Sequence, residues 1–149
     1  MRPILRVLAT GLALVVFGAC DDSNQDRQAI EQVLASLQQT YRDRSSKALL
    51  ALVSKDYRAD MGTPDPSDDL DYADLTESVP ATFAHAKQIE IEMQIQAIQI
   101  TKDRATVDCR QQVGYLLVFD GQERWSRHDD KTRIELVRQD RAWKVLSGL

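Results

Sequence analysis

The chain has 149 residues, 19 Lys and Arg against 23 Asp and Glu, and a formal net charge of −4 at pH 7. That length suits one domain, and 43% hydrophobic with 28% charged residues is an ordinary globular composition. Six Gly and four Pro exclude collagenous and low-complexity chains, two Cys cannot staple a disulfide scaffold, and the acidic balance argues against nucleic acid as a partner.

The first twenty residues, MRPILRVLATGLALVVFGAC, stand apart from the rest. Arg2 and Arg6 form a basic lead, Val7 to Phe17 an apolar run, and Gly18 and Ala19 a pair of small residues before Cys20. This is the build of a secretory signal, with a run too short for a helix to cross a ~30 Å hydrocarbon core. Phe17-Gly18-Ala19-Cys20 resembles the lipobox of bacterial lipoproteins, with Phe17 where that family prefers Leu. The resemblance implies removal of residues 1–19, lipidation of Cys20 and attachment to a membrane through more than one acyl chain. Asp21-Asp22 resembles the signal that retains some Gram-negative lipoproteins at the inner membrane. The expected position is therefore the inner membrane, facing the periplasm, with the outer membrane as the other option. Without residues 1–19 the chain has 130 residues, 17 basic and 23 acidic, for a net charge of −6.

Residues 20–25 read as the lipidated Cys and a short tether, and residues 26–149 as the domain. Ser23-Asn24-Gln25-Asp26 fits an S-x-x-D capping box, which opens a helix a few residues beyond the lipid. Ile30, Val33, Leu34, Leu37 and Tyr41 fall on one helical face. Ser45-Ser46 offers an N-cap for a second helix bearing Leu49, Leu52 and Val53, which stops near Ser54. Tyr57 to Met61 reads as a short strand, and residues 62–74 (GTPDPSDDLDYAD) as a loop. A third helix is expected between Asp74 and Ala86, opened at Asp74 or capped later by Ser78 with Pro80 in its first turn.

From Ile89 the period becomes two. Ile89, Ile91, Met93 and Ile95 alternate with Glu90, Glu92, Gln94 and Gln96, and the slip at Ala97-Ile98 suggests a β-bulge. Lys102-Asp103 makes a turn, Ala105 to Phe119 alternates again, and Asp120-Gly121 signals a hairpin. A long strand from Glu123 to Arg138 and a last one from Ala142 to Ser147 complete an antiparallel meander. Three helices before such a meander make an α+β layout, with the helices on one face of a curved sheet.

Two stretches resemble the nuclear transport factor 2-like (SnoaL-like) superfamily. Residues 33–58 (VLASLQQTYRDRSSKALLALVSKDYR) look like its helix-turn-helix-strand opening, and residues 104–108 (RATVD) with 133–149 (RIELVRQDRAWKVLSGL) like its closing strands. The resemblance implies a cone-shaped fold, often with a pocket in the mouth of the cone. Members include isomerases, dehydratases and cyclases as well as non-catalytic binding and assembly modules, so fold does not decide function. It also implies that a homodimer can form through the sheet. The steroid-isomerase branch carries an oxyanion-donating Tyr on its first helix, and aligning LLALV puts Leu37 there, which counts against that chemistry.

Strand parity selects the candidate site residues. With Ile134 and Leu136 facing the helices, Thr132, Asp130, His128 and Ser126 follow onto the same face. On the neighbouring strand Val107 and Cys109 bring Gln111, Val113, Tyr115 and Leu117. Tyr57, Gln111, Tyr115 and Thr132 are thus candidates to line a pocket, and His128 with Asp130 a candidate acid/base pair. The simpler reading leaves His128 and Asp130 solvated where the strand overhangs the helices. His85 reads as a helix-end cation and Cys109 as a small buried residue. The acidic loop offers Asp65, Asp69 and Asp71 as weak oxygen ligands, but the spacing fails the EF-hand pattern. No phosphate-binding Gly loop, zinc spacing or nucleophile elbow is present, and no cofactor is expected.

The expectation is a lipid-anchored domain that binds a small apolar ligand or a partner protein without catalysis. The alternative is an isomerase or dehydratase using His128 and Asp130.

Overall fold

The computed structural model describes residues 19–60, 62 and 68–149, so the signal run 1–18 and Asp65 lie outside the described residues. Helix α1 extends from Ala19 to Arg42 and buries Ile30, Leu34 and Leu37, the face its spacing predicts. It does not begin at Ser23. Asp26, which the capping box needed, instead gives its carboxylate to Arg138 and to the Trp143 indole, so the backbone stays helical through residues 20–25, the expected tether. Among the described residues no helix is long and apolar enough to cross a membrane.

Helix α2, Ser46–Leu52, is capped as expected by the Ser45 hydroxyl, which accepts from the Ala48 amide. Strand β1, Arg58–Ala59, pairs antiparallel with β2, Leu70–Asp71, so a strand occupies the end of what composition marked as loop. Helix α3, Tyr72–His85, opens earlier than either expected start. Asp71 is its N-cap, accepting from the Ala73 and Asp74 amides, while the Asp74 carboxylate accepts from the Asp71 amide at 2.8 Å. That reciprocal box satisfies the first orphan donors better than Ser78, and it leaves Pro80 inside the helix.

The sheet has the order β3-β4-β5-β6, with β3 Ala86–Thr101, β4 Arg104–Phe119, β5 Gln122–Gln139 and β6 Ala142–Ser147, all antiparallel. The register shifts between Ile95 and Ala97, just ahead of the bulge expected at Ala97-Ile98. Further shifts fall between Ala86 and Gln88 and between Glu135 and Leu136, the latter letting both Leu136 and Val137 be buried. Lys102, Asp120, Gly121, Asp140 and Arg141 take positive φ in the three hairpin turns. The inner face of the sheet (Ile89, Ile91, Val107, Ile134, Leu136, Val145) closes against the buried residues of α1, α2 and α3.

Both edges of this sheet are engaged at particular points by other parts of the chain. At β3, Arg42 donates to the Ile91 carbonyl at 2.9 Å, Arg44 to the Ala86 carbonyl at 2.7 Å, and Gln38 accepts from the Met93 amide at 3.1 Å. At β6, the Ser54 amide donates to the Val145 carbonyl at 2.8 Å. The outer face carries paired charges: Arg110 grips Asp129 through two bonds of 2.7 and 2.6 Å, and Arg133 holds Asp108 at 2.8 Å.

Candidate functional site

Strand parity places the expected residues on one face. Gln111 pairs with Asp130, Cys109 with Thr132, Val113 with His128 and Tyr115 with Ser126, all in register with the buried alternation of β3. Gln111, Asp130 and Thr132 line a recess of about 490 Å3 bounded by Ala59 and Leu149. Tyr115 and Leu117 line a second recess of about 380 Å3 against Ala81, Thr82 and His85 of α3.

Three phenols gather in the interior between the helices and the sheet. Tyr57 is 0% exposed, and its hydroxyl donates to the Leu149 carbonyl at 3.3 Å while accepting from the Leu149 amide at 3.2 Å. Tyr41, from the last turn of α1, packs edge-on against Phe83 of α3 with ring centroids 5.4 Å apart. Burial pushes its phenol well above the ordinary range, and the neighbouring phenols of Tyr115 and Tyr57 push it further. Burial also raises Tyr115, and raises Tyr57 against the opposing hydrogen bond from Leu149. All three are neutral hydrogen-bond donors at physiological pH. Neither Tyr41 nor Tyr115 makes a hydrogen bond through its hydroxyl among the described residues.

Tyr41 is the functional candidate that sequence reasoning passed over. It closed the apolar face of α1 and so read as core. Leu37, the position aligned with the oxyanion-donating phenol, is fully buried, and Tyr41 lies four residues on in the same helix.

His128 and Asp130 share the inner face, but no hydrogen bond joins them. Both are exposed, and the polar contact of His128 is with Ser126 Oγ at 3.3 Å. They lie at the solvated end of β5, beyond the stretch that the helices cover. A depression of about 800 Å3 across β3, β4 and β5 reaches His128, but besides Ile89, Ile91 and Val113 it is lined by the charge ladder of the outer face. Its Arg127 and Glu90 pair at 3.4 Å, and its Asp129 is already held by Arg110 and Gln112. We therefore place the candidate site in the cone interior, where donors stand open, and not in this larger hollow.

The remaining sequence candidates resolve individually. Asp71 is committed to capping α3 and to Arg58 at 3.5 Å, and backbone donation from the α3 turn holds its carboxyl below the usual range. Among the described residues no group of three His, Cys, Asp or Glu side chains could hold a metal ion; Asp65, the third member of the expected Asp65, Asp69 and Asp71 set, lies outside them. Cys109 is buried, and burial with the Asp108 charge pushes its thiol up, away from a reactive thiolate. His85 bonds the Ala81 carbonyl through Nδ1 at 2.7 Å. Cys20, Asp21 and Asp22 lie in the first turns of α1.

Three helices packed on a four-stranded antiparallel sheet, with a phenol-lined interior, define an α+β cone of the nuclear transport factor 2-like class. The profile of the SnoaL-like domain matches residues 30–148, and the chain belongs to that family. Among solved structures, the Kfla4162 protein of Kribbella flavida is similar at 19% identity and a TM-score of 0.72, over 85% of this chain and 90% of that one. A protein of Novosphingobium aromaticivorans, provisionally assigned as a scytalone dehydratase, gives 0.76 at 12% identity over 87% and 85%. A provisional dehydratase of the same family from Streptomyces avermitilis gives 0.69 at 14% identity over 84% and 94%. At these identities the likeness concerns the fold. No curated protein sequence matches the chain.

Proposed function

We propose that this domain binds, without chemical turnover, a small apolar molecule carrying a hydrogen-bond acceptor, and that lipid on Cys20 holds it on the periplasmic side of a bacterial membrane. The observation that carries the binding reading is the pair of interior phenols, Tyr41 and Tyr115, whose hydroxyls have no acceptor among the described residues. Both residues are half-buried, and a phenol that no protein group engages is free to donate to a ligand acceptor such as a carbonyl. The lack of a bonded acid/base pair at His128 and Asp130 supports binding over catalysis.

Titration with a neutral aromatic ketone, 2-acetylnaphthalene, tests this reading. Saturable binding that weakens at least several-fold in Tyr41→Phe is expected, and identical affinity in both proteins would overturn it. Incorporation of labelled palmitate that disappears in Cys20→Ser is the expected sign of the anchor.

The second reading is an isomerase or dehydratase, favoured by the position of Asp130 beside Gln111 and Thr132 in the 490 Å3 recess. It requires that His128→Ala abolish turnover of a bound ketone or alcohol while leaving its affinity intact.

A further inference from the structure

We infer that the depression between α2, the start of α3 and the β5–β6 turn is a binding site for a phosphate group. This depression, about 610 Å3, is separate from the cone interior, and the inference stands without the ligand reading above. Three ammonium groups line it: Lys47, Lys55 and Lys144. Asp140 is the single carboxylate in its lining, so the walls carry a local surplus of positive charge in a chain whose net charge is −4.

The three lysines are among the cations that no ion pair neutralises among the described residues. Arg27, Arg58, Lys87, Arg110, Arg127, Arg133 and Arg138 each sit in an ion pair. Lys47, Lys55 and Lys144 do not. Lys55 lies 3.7 Å from the centre of the Tyr72 ring, and Lys144 donates to the Ala51 carbonyl at 2.5 Å. Both ammoniums are thereby positioned without being neutralised, and Lys47 is exposed with no polar partner among the described residues. The nearby Asp56 carboxylate is already taken by the Gln139 amide at 3.0 Å. Three separate point charges around one hollow suit an anion with several oxygens, and lysine serves phosphate in this way. The Ser46 hydroxyl supplies a neutral donor on the same wall.

The phosphate has two sources. Arg138, one residue before the depression's Gln139, is bound to Asp26, so this is the end of the domain from which α1 runs back to Cys20. A phospholipid headgroup is one source, and a free phosphate or phosphorylated solute the other.

Inorganic phosphate titrated into the purified full chain, at constant ionic strength, is expected to give saturable NMR shifts at Lys47, Lys55 and Lys144. Lys47→Gln and Lys55→Gln are expected to weaken that binding about two- to fivefold each, the range of single exposed charge contacts. Lys47 holds nothing in place, so its variant tests the site without disturbing the fold. Vesicles of phosphatidylglycerol and of phosphatidylcholine, offered to the chain and its lysine variants in the Cys20→Ser background so that no acyl anchor carries them down, separate the sources. Preferential sedimentation with phosphatidylglycerol that the double variant loses assigns the site to a headgroup. Equal sedimentation of both proteins, with the phosphate response retained, assigns it to a soluble phosphate. No saturable shift at these lysines, or equal phosphate affinity in the variants, overturns the inference.

Discussion

The Trp143 indole donates to Asp26 Oδ1 at 3.2 Å, joining the early turns of α1 to the last strand of the sheet. Arg138 takes the other carboxylate oxygen and stacks its guanidinium 4.9 Å from the same indole. Asp26 is only 18% exposed, so its removal strands a buried N–H and a cation together. Asp26→Ala is expected to lower stability by about 1–3 kcal/mol, and Asp26→Asn, which keeps an acceptor for the indole, by less. Urea unfolding of the three proteins measures it.

Gly148 has φ +91°, and a Cβ there would stand 2.2 Å from the Arg133 carbonyl oxygen. Both the backbone conformation and the space exclude a side chain. Gly148→Ala is expected to cost more than about 1 kcal/mol and to release Leu149 from the Tyr57 hydroxyl. Thermal melting reads the first effect, and the tyrosine hydroxyl resonance the second.

The outer charge ladder predicts an acid-dependent loss. Hydrogen bonds from Arg110, then Gln112, pull the Asp129 carboxyl from 3.8 down to about 2, and Arg133 lowers Asp108 in the same direction. A depressed folded-state value stabilises above the unfolded value and fades as pH falls through the folded one. Asp129→Asn is therefore expected to be less stable than the parent above about pH 4, with the difference shrinking as pH falls toward about 2 and vanishing below it. A pH series of urea midpoints decides it.

The interior phenols predict the reverse at high pH. Their raised values mean that the folded chain holds protons the unfolded chain releases, so this stabilisation is complete below pH 10.0 and is lost as pH rises. Phenolate absorbance at pH 11 is expected to be much smaller in the native protein than in urea. Tyr57→Phe is expected to cost about 1 kcal/mol through its lost bonds to Leu149, while Tyr115→Phe, with no bond to lose, leaves the melt nearly unchanged.

Much of the architecture was legible because it rests on periodicity. Ile89 to Ile95, the slip at Ala97 and the Asp120-Gly121 turn are local patterns, and they appear in place. Helix starts were less legible, since competing caps look alike in one dimension. Asp26 seemed a capping acid until a partner over a hundred residues away claimed it, and Asp71 won over Ser78 because β2 delivers it extended to the first turn of α3. The site followed the same division. Parity put Gln111, Tyr115, Asp130 and Thr132 on the right face, but the end of helix cover on β5, which leaves His128 in solvent, is a tertiary fact. Tyr41 was hidden for the opposite reason: a phenol at core spacing looks like any other apolar residue.

Strand β3 is sixteen residues long and lies at the rim of its sheet. A rim of that length, left bare, is a template on which further chains assemble strand by strand into fibres. Gln38 and Arg42 of α1, with Arg44 from the turn that follows it, instead make a partial selvedge there. A chain arriving at Ala86, Ile91 or Met93 meets a carbonyl or amide already engaged, so strand addition along the first half of β3 loses those three bonds.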